Sequence, residues 1–161
     1  MSGSSPVSRL PSSETVTRTE PETEALGERL ASTLSDSDVV YLVGDLGAGK
    51  TTLARGLARG LRALPREVAS PTFALLHEYA GPGGAIVLRH LDLYRLADDP
   101  RDLAVLGLPD AVAGAPVCVE WPGEAIRRLL PPTLEVTLRA EPDGTRRIRV
   151  ARLSAASPPG R

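Results

Sequence analysis

The chain has 161 residues, 42% of them apolar, and a formal net charge of −1. That length predicts one domain with a full core, and the near-neutral charge excludes a global pull toward DNA, RNA or an anionic membrane. The single cysteine, Cys118, excludes an internal disulfide and a cysteine-rich zinc site.

Such thiol usage predicts a reducing, cytoplasmic home. Residues 1–13 are rich in Ser and Pro and lack the apolar stretch of a secretory signal. The apolar run at 39–43 has a strand's length, far short of a membrane span. Aromatics make up 3%, too few for a platform that stacks single-stranded nucleic acid. Residues 1–13 and 154–161 are expected to be disordered tails around one domain, 14–153.

Residues 14–18 predict a first strand. Thr19 can cap the helix after it, with Pro21 and the acids Glu20, Glu22 and Glu24 in its first turn. Leu26, Leu30 and Leu34 give that helix an apolar face. Residues 38–43 predict a buried strand that ends at a glycine-rich loop, and 50–64 a helix. Next come a strand at 73–79, a turn at Gly81-Pro82-Gly83-Gly84 and a return strand at 85–92. A helix is expected at 98–105, capped by Asp98 or Asp99, and a short one at 108–112. Residues 116–120 predict a buried strand and 122–130 a helix stopped by Pro131-Pro132. Alternating segments at 133–139 and 145–153 predict a second hairpin. The mixture predicts a three-layer α/β domain whose sheet is part parallel and part antiparallel.

Among eighteen arginines stands one lysine, Lys50, inside Gly44-Asp45-Leu46-Gly47-Ala48-Gly49-Lys50-Thr51. This is the G-x-x-x-x-G-K-[ST] phosphate-binding loop, the P-loop. An ammonium is a compact point charge that fits a tight loop, whereas a guanidinium is a planar fork. Gly44, Gly47 and Gly49 let backbone N–H groups turn inward around an anion, and the following helix adds its dipole. Lys50 would reach the β- and γ-phosphates, and Thr51 would place its hydroxyl on Mg²⁺. Asp45, Leu46, Gly47, Ala48, Gly49, Lys50, Thr51 and Thr52 are therefore the candidate nucleotide-binding positions.

Such a site needs an acid at the end of a neighbouring strand. Glu120 qualifies after Pro116-Val117-Cys118-Val119, and so does Asp92 after Leu91. The buried character of its run favours Glu120. Ser70-Pro71-Thr72 reads either as a switch that senses the γ-phosphate or as an ordinary turn, which makes Ser70 and Thr72 candidate binding residues. Trp121, the only tryptophan, reads as core packing or as part of the site. Cys118 reads as a small buried apolar residue. His77 and His90 show no metal-ligand spacing, and Arg127-Arg128 and Arg146-Arg147 read as solvated pairs.

These segments together resemble the bacterial TsaE family, also called YjeE. The likeness runs through the P-loop and Thr52, then Ser70-Pro71-Thr72-Phe73, His90-Leu91-Asp92-Leu93-Tyr94-Arg95 and Glu120-Trp121-Pro122. It implies a small Mg²⁺-dependent P-loop ATPase of tRNA threonylcarbamoyladenosine formation, weak alone. Its partners would be TsaB and TsaD, which modify an adenosine next to the anticodon, with tRNA met only through that complex. Thr51 and Glu120 would hold Mg²⁺, Asp92 would assist the metal or the attacking water, and Trp121 would be needed for activity.

Two other classes meet the P-loop. A small-molecule kinase needs an arginine-bearing lid, and no such insertion stands out, though Arg89, Arg95 and Arg101 are available. A GTPase-type switch needs an N-K-x-D-like segment, and this chain has no asparagine and no second lysine.

Overall fold

Seven strands form one sheet in the order β1-β7-β6-β2-β5-β4-β3. The computed structural model describes residues 12–65, 75–96 and 98–154. The strands are β1 Ser13–Thr17, β2 Val39–Val43, β3 Leu76–Ala80, β4 Ile86–Asp92, β5 Val117–Glu120, β6 Leu134–Ala140 and β7 Arg146–Arg152. The helices are α1 Glu20–Ala31, α2 Lys50–Gly60, α3 Pro100–Ala104 and α4 Glu124–Leu129, with a 3-10 turn at Asp110–Val112. The middle of the sheet, β6-β2-β5-β4, is parallel. Its flanks are antiparallel, through the β3–β4 and β6–β7 hairpins and the β1–β7 pair. The expected mixed sheet is thus the one observed.

Alternation along the strands makes three layers. Val40 and Leu42 of β2, Leu88 of β4 and Cys118 of β5 point to α1 and α2, into a core with Leu26, Leu53 and Leu57. Val39 and Tyr41, Leu91, Val117 and Val119 point the other way, to Leu103 of α3 and Ile126 of α4. Glycines bring α1 and α2 into backbone contact. A Cβ on Gly56 would lie 2.1 Å from the Glu24 carbonyl oxygen, and one on Gly27 2.4 Å from that of Leu53.

Two helices end earlier than their apolar spacing suggests. In α1, the Ser32 and Thr33 hydroxyls donate back to the carbonyls of Arg29 and Leu30, and the helix stops at Ala31 instead of running to Leu34. In α2, Arg62 takes a left-handed φ of 63°. The amides of Ala63 and Arg62 then donate to the Ala58 and Arg59 carbonyls, a Schellman closure that stops the helix at Gly60. Thr19 caps α1 as expected, accepting from the Glu22 amide at 3.2 Å. Asp99, not Asp98, caps α3. Among the described residues, no helix is long and apolar enough to cross a membrane.

Candidate functional site

Parallel strands deliver their C-terminal ends to one edge of the sheet, and the glycine loop lies there between β2 and α2. Gly47 and Gly49 have φ of 80° and 105°, which a Cβ would disfavour. No side chain caps α2, so the first amides of that helix face the mouth of the loop. Leu46 stands out at the tip, 75% exposed, while Ala48 is packed beneath, so any contribution of Ala48 is through its backbone.

Lys50 is only 5% exposed. Its Nζ donates to the Gly44 carbonyl at 2.5 Å and the Asp45 carbonyl at 2.8 Å. It also sits over the Trp121 ring, 4.0 Å from the centroid. Burial pulls the ammonium pKa below the usual lysine value, against the opposing charges of Glu120, Asp45 and Asp92.

Register brings the acids together. Glu120 pairs with Leu42 on one side and with Asp92 on the other. Residues two apart share a face, so Glu120 follows Cys118, and His90 and Asp92 follow Leu88, onto the α2 side of the sheet. Glu120 Oε1 accepts from the Thr51 hydroxyl at 3.3 Å and meets His90 Nε2 at 2.9 Å. Asp92 Oδ1 accepts from the Tyr94 amide at 3.1 Å.

These groups open onto a cavity of about 400 Å³. Leu46, Gly47, Gly49, Lys50, Thr51 and Thr52 form its floor, with Asp92, Tyr94, Glu120 and Trp121 on one wall. Arg18, Thr19, Glu20 and Thr23 at the start of α1, and Gly144 and Arg146 of the β6–β7 hairpin, form the other. The candidate residues of the P-loop, Asp92, Glu120 and Trp121 are thus neighbours. Ser70 and Thr72 lie outside the described residues.

Several residues outside the candidate set join the site. His90 is buried against Glu120, and its ring centroid is 6.1 Å from that of His77. Its signal was the two-residue offset from Asp92. Arg146 lines the cavity instead of belonging to a solvated pair, which only the meeting of hairpin and α1 reveals. Cys118 is fully buried and its thiol pKa is raised well above normal by burial, which suits a packing residue.

Among the described residues no cluster of three or more His, Cys, Asp or Glu could hold a metal by itself. Mg²⁺ does not require one. It takes one or two protein oxygens and fills its octahedron with phosphate oxygens and water. The Thr51 hydroxyl and the Glu120 carboxylate are hard oxygen donors at the same mouth, so the residues present fit that ion.

Comparison with known proteins identifies the family and the fold. The family model for the threonylcarbamoyl adenosine biosynthesis protein TsaE matches residues 17–148. The chain is 38% identical over 135 residues to the tRNA threonylcarbamoyladenosine biosynthesis protein TsaE of Rickettsia bellii, covering 83% of this chain and 91% of that one. It is 41% identical to the TsaE of Treponema pallidum, covering 84% and 98%, and 39% identical to that of Bacillus subtilis, covering 79% and 77%. The crystal structure of Bacillus subtilis YdiB superposes with a TM-score of 0.68 at 30% identity, over 89% of this chain and 87% of that one. The chain belongs to the TsaE family of tRNA threonylcarbamoyladenosine biosynthesis.

Proposed function

We propose that this protein binds ATP with Mg²⁺, hydrolyses it, and uses the cycle to reset a TsaB–TsaD complex that modifies tRNA. The observation that carries the reading is the register of β2, β5 and β4, which gathers Lys50, Thr51, Glu120 and Asp92 around one cavity. Amides of Gly47 to Thr52 and the Lys50 ammonium hold the β- and γ-phosphates. Thr51 and Glu120 hold Mg²⁺, which when bound neutralises charge on the phosphate oxygens. Asp92 orients the water that attacks the γ-phosphate, and its tie to the Tyr94 amide fixes the carboxylate for this. The wall made by Arg18, Thr19, Thr23 and Arg146 takes the nucleoside end. Ser70 and Thr72 act as a γ-phosphate sensor, and the protein works in the cytoplasm.

The decisive experiment measures ATP hydrolysis by the purified protein alone and with TsaB and TsaD, beside a pull-down of those partners with and without ATP. Slow hydrolysis alone, faster with the partners, and ATP-dependent association are expected. Glu120→Ala should still bind nucleotide but lose Mg²⁺-dependent turnover. Hydrolysis indifferent to both partners would remove the coupling half of the reading.

A further inference from the structure

An ammonium has three N–H donors. In Lys50 the Gly44 and Asp45 carbonyls take two of them, and the Trp121 ring face lies 4.0 Å from Nζ on the remaining side. A positive charge this deeply buried needs such compensation, and the two carbonyls and the ring supply it. The ring is brought there deliberately by the backbone. Trp121 has φ of 58°, a left-handed conformation that a bulky residue adopts only when its surroundings impose it. Tyr94 supports the ring, with centroids 4.9 Å apart and planes tilted by 48°. The Tyr94 amide is in turn held by Asp92 Oδ1. A continuous line of contacts therefore runs from Asp92 through Tyr94 and Trp121 to Lys50.

A phosphate entering the loop must take one donor from Lys50. The two carbonyls belong to the loop that cradles it, and each receives an N–H directly. The ring offers only its quadrupole, so it is the contact that yields. We propose that the Trp121 ring is the resting seat of the Lys50 ammonium, that a phosphate group displaces the ring from Lys50, and that Tyr94 is a positioning residue holding the ring for this exchange. The inference rests on reading the cavity as a nucleotide site.

Trp121 is the only tryptophan of the chain, so tryptophan emission reports the surroundings of this one ring. The test titrates the full-length protein with inorganic pyrophosphate, which has no base to stack on the ring, and with ADP. Emission and calorimetric heat are followed in parallel. A saturable emission change with the same midpoint as the heat is expected for both. In the absence of ligand, Lys50→Met should shift the emission in the direction that saturating pyrophosphate shifts the wild type. Tyr94→Ala, at a position 53% exposed, should cut the ligand-induced change to less than half. Tyr94→Phe should restore it. Heat of binding with unchanged emission overturns the exchange and leaves the nucleotide reading standing. Wild-type emission in ligand-free Lys50→Met overturns the seat. No heat with either ligand overturns the nucleotide reading and the exchange together.

Discussion

His90 Nε2 lies 2.9 Å from Glu120 Oε1, and the two residues are 7% and 3% exposed. The same oxygen receives the Thr51 hydroxyl. A carboxylate so deep in the protein needs donors to remain charged, and His90 supplies the shorter of the two contacts. With Nε2 protonated, it fixes Oε1 and so sets the direction in which the carboxylate faces the cavity. Replacing His90 with Leu should lower Mg²⁺-dependent ATP turnover roughly 10- to 100-fold, the scale seen when a support of a metal-binding group is lost. His90→Gln, which can still donate, should recover most of it. Steady-state rates at saturating ATP and Mg²⁺ decide the matter, and wild-type turnover in the Leu variant would refute the supporting role.

Lys50 should not be replaceable by the residue this chain otherwise prefers for positive charge. Two loop carbonyls and an indole ring enclose the ammonium. A guanidinium is wider, planar and built for forked contacts. Lys50→Arg should therefore weaken ATP binding nearly as much as Lys50→Ala, by at least about tenfold, since a hydrogen bond to a charged group is worth roughly 1.5–3 kcal/mol. Calorimetric titration with ATP measures this directly. Tight binding by the Arg variant would mean that charge alone suffices.

Gly56 ties stability to the site. Its hypothetical Cβ would meet the Glu24 carbonyl oxygen at 2.1 Å and Gly27 Cα at 2.9 Å, both backbone atoms that cannot swing aside. Gly56→Ala must push α1 away from α2, at a cost of about 1–3 kcal/mol or more for such overpacking. Both helices line the cavity, through Thr19, Glu20 and Thr23 at the start of one and Lys50, Thr51 and Thr52 at the start of the other. The variant should thus show a lower urea midpoint and also weaker ATP binding. A loss of stability with unaltered binding would place the compensating shift at the far ends of the helices.

What could be read from the sequence was mostly local. The glycine loop, the Thr19 cap, the two hairpins and the buried strands depend on residues a few positions apart, and all appear in the fold. Asp98 shows where such reading stops. Beside Asp99 it offers the same cap to α3. Instead its carboxylate accepts the amides of Glu124 and Ala125 at 2.7 and 3.0 Å and caps α4 across the fold. A Cβ at Gly123 would strike that carboxylate at 2.4 Å, so aspartate and glycine are matched over a distance that no local pattern records. The partnership of His90 with Glu120 was hidden for the same reason. Alternation gives the face of each strand, but only the β4–β5 register sets the two side by side.

Asp38 predicts how the fold responds to acid. It sits just before β2, buried, and its carboxylate accepts from the Ser35 amide at 2.8 Å, the Thr133 hydroxyl at 2.7 Å and Arg152 at 3.2 Å. It thereby pins the starts of β2 and β6 to the end of β7. Burial by itself raises its pKa, but the Ser35 amide, the Thr133 hydroxyl and the Arg152 charge together outweigh that and leave it below the ordinary value of 3.8. A carboxyl whose pKa is lower in the folded than in the unfolded chain stabilises the fold fully above the unfolded value. That contribution fades as pH falls through the folded value. Asp38→Ala should cost roughly 2–4 kcal/mol at neutral pH, because it strands buried donors and an arginine. The gap between variant and wild type should stay constant down to about pH 4 and shrink below it. Urea unfolding at a series of pH values measures both effects. A gap that is undiminished well below that point would assign the stabilisation to the shape of the side chain and not to its charge.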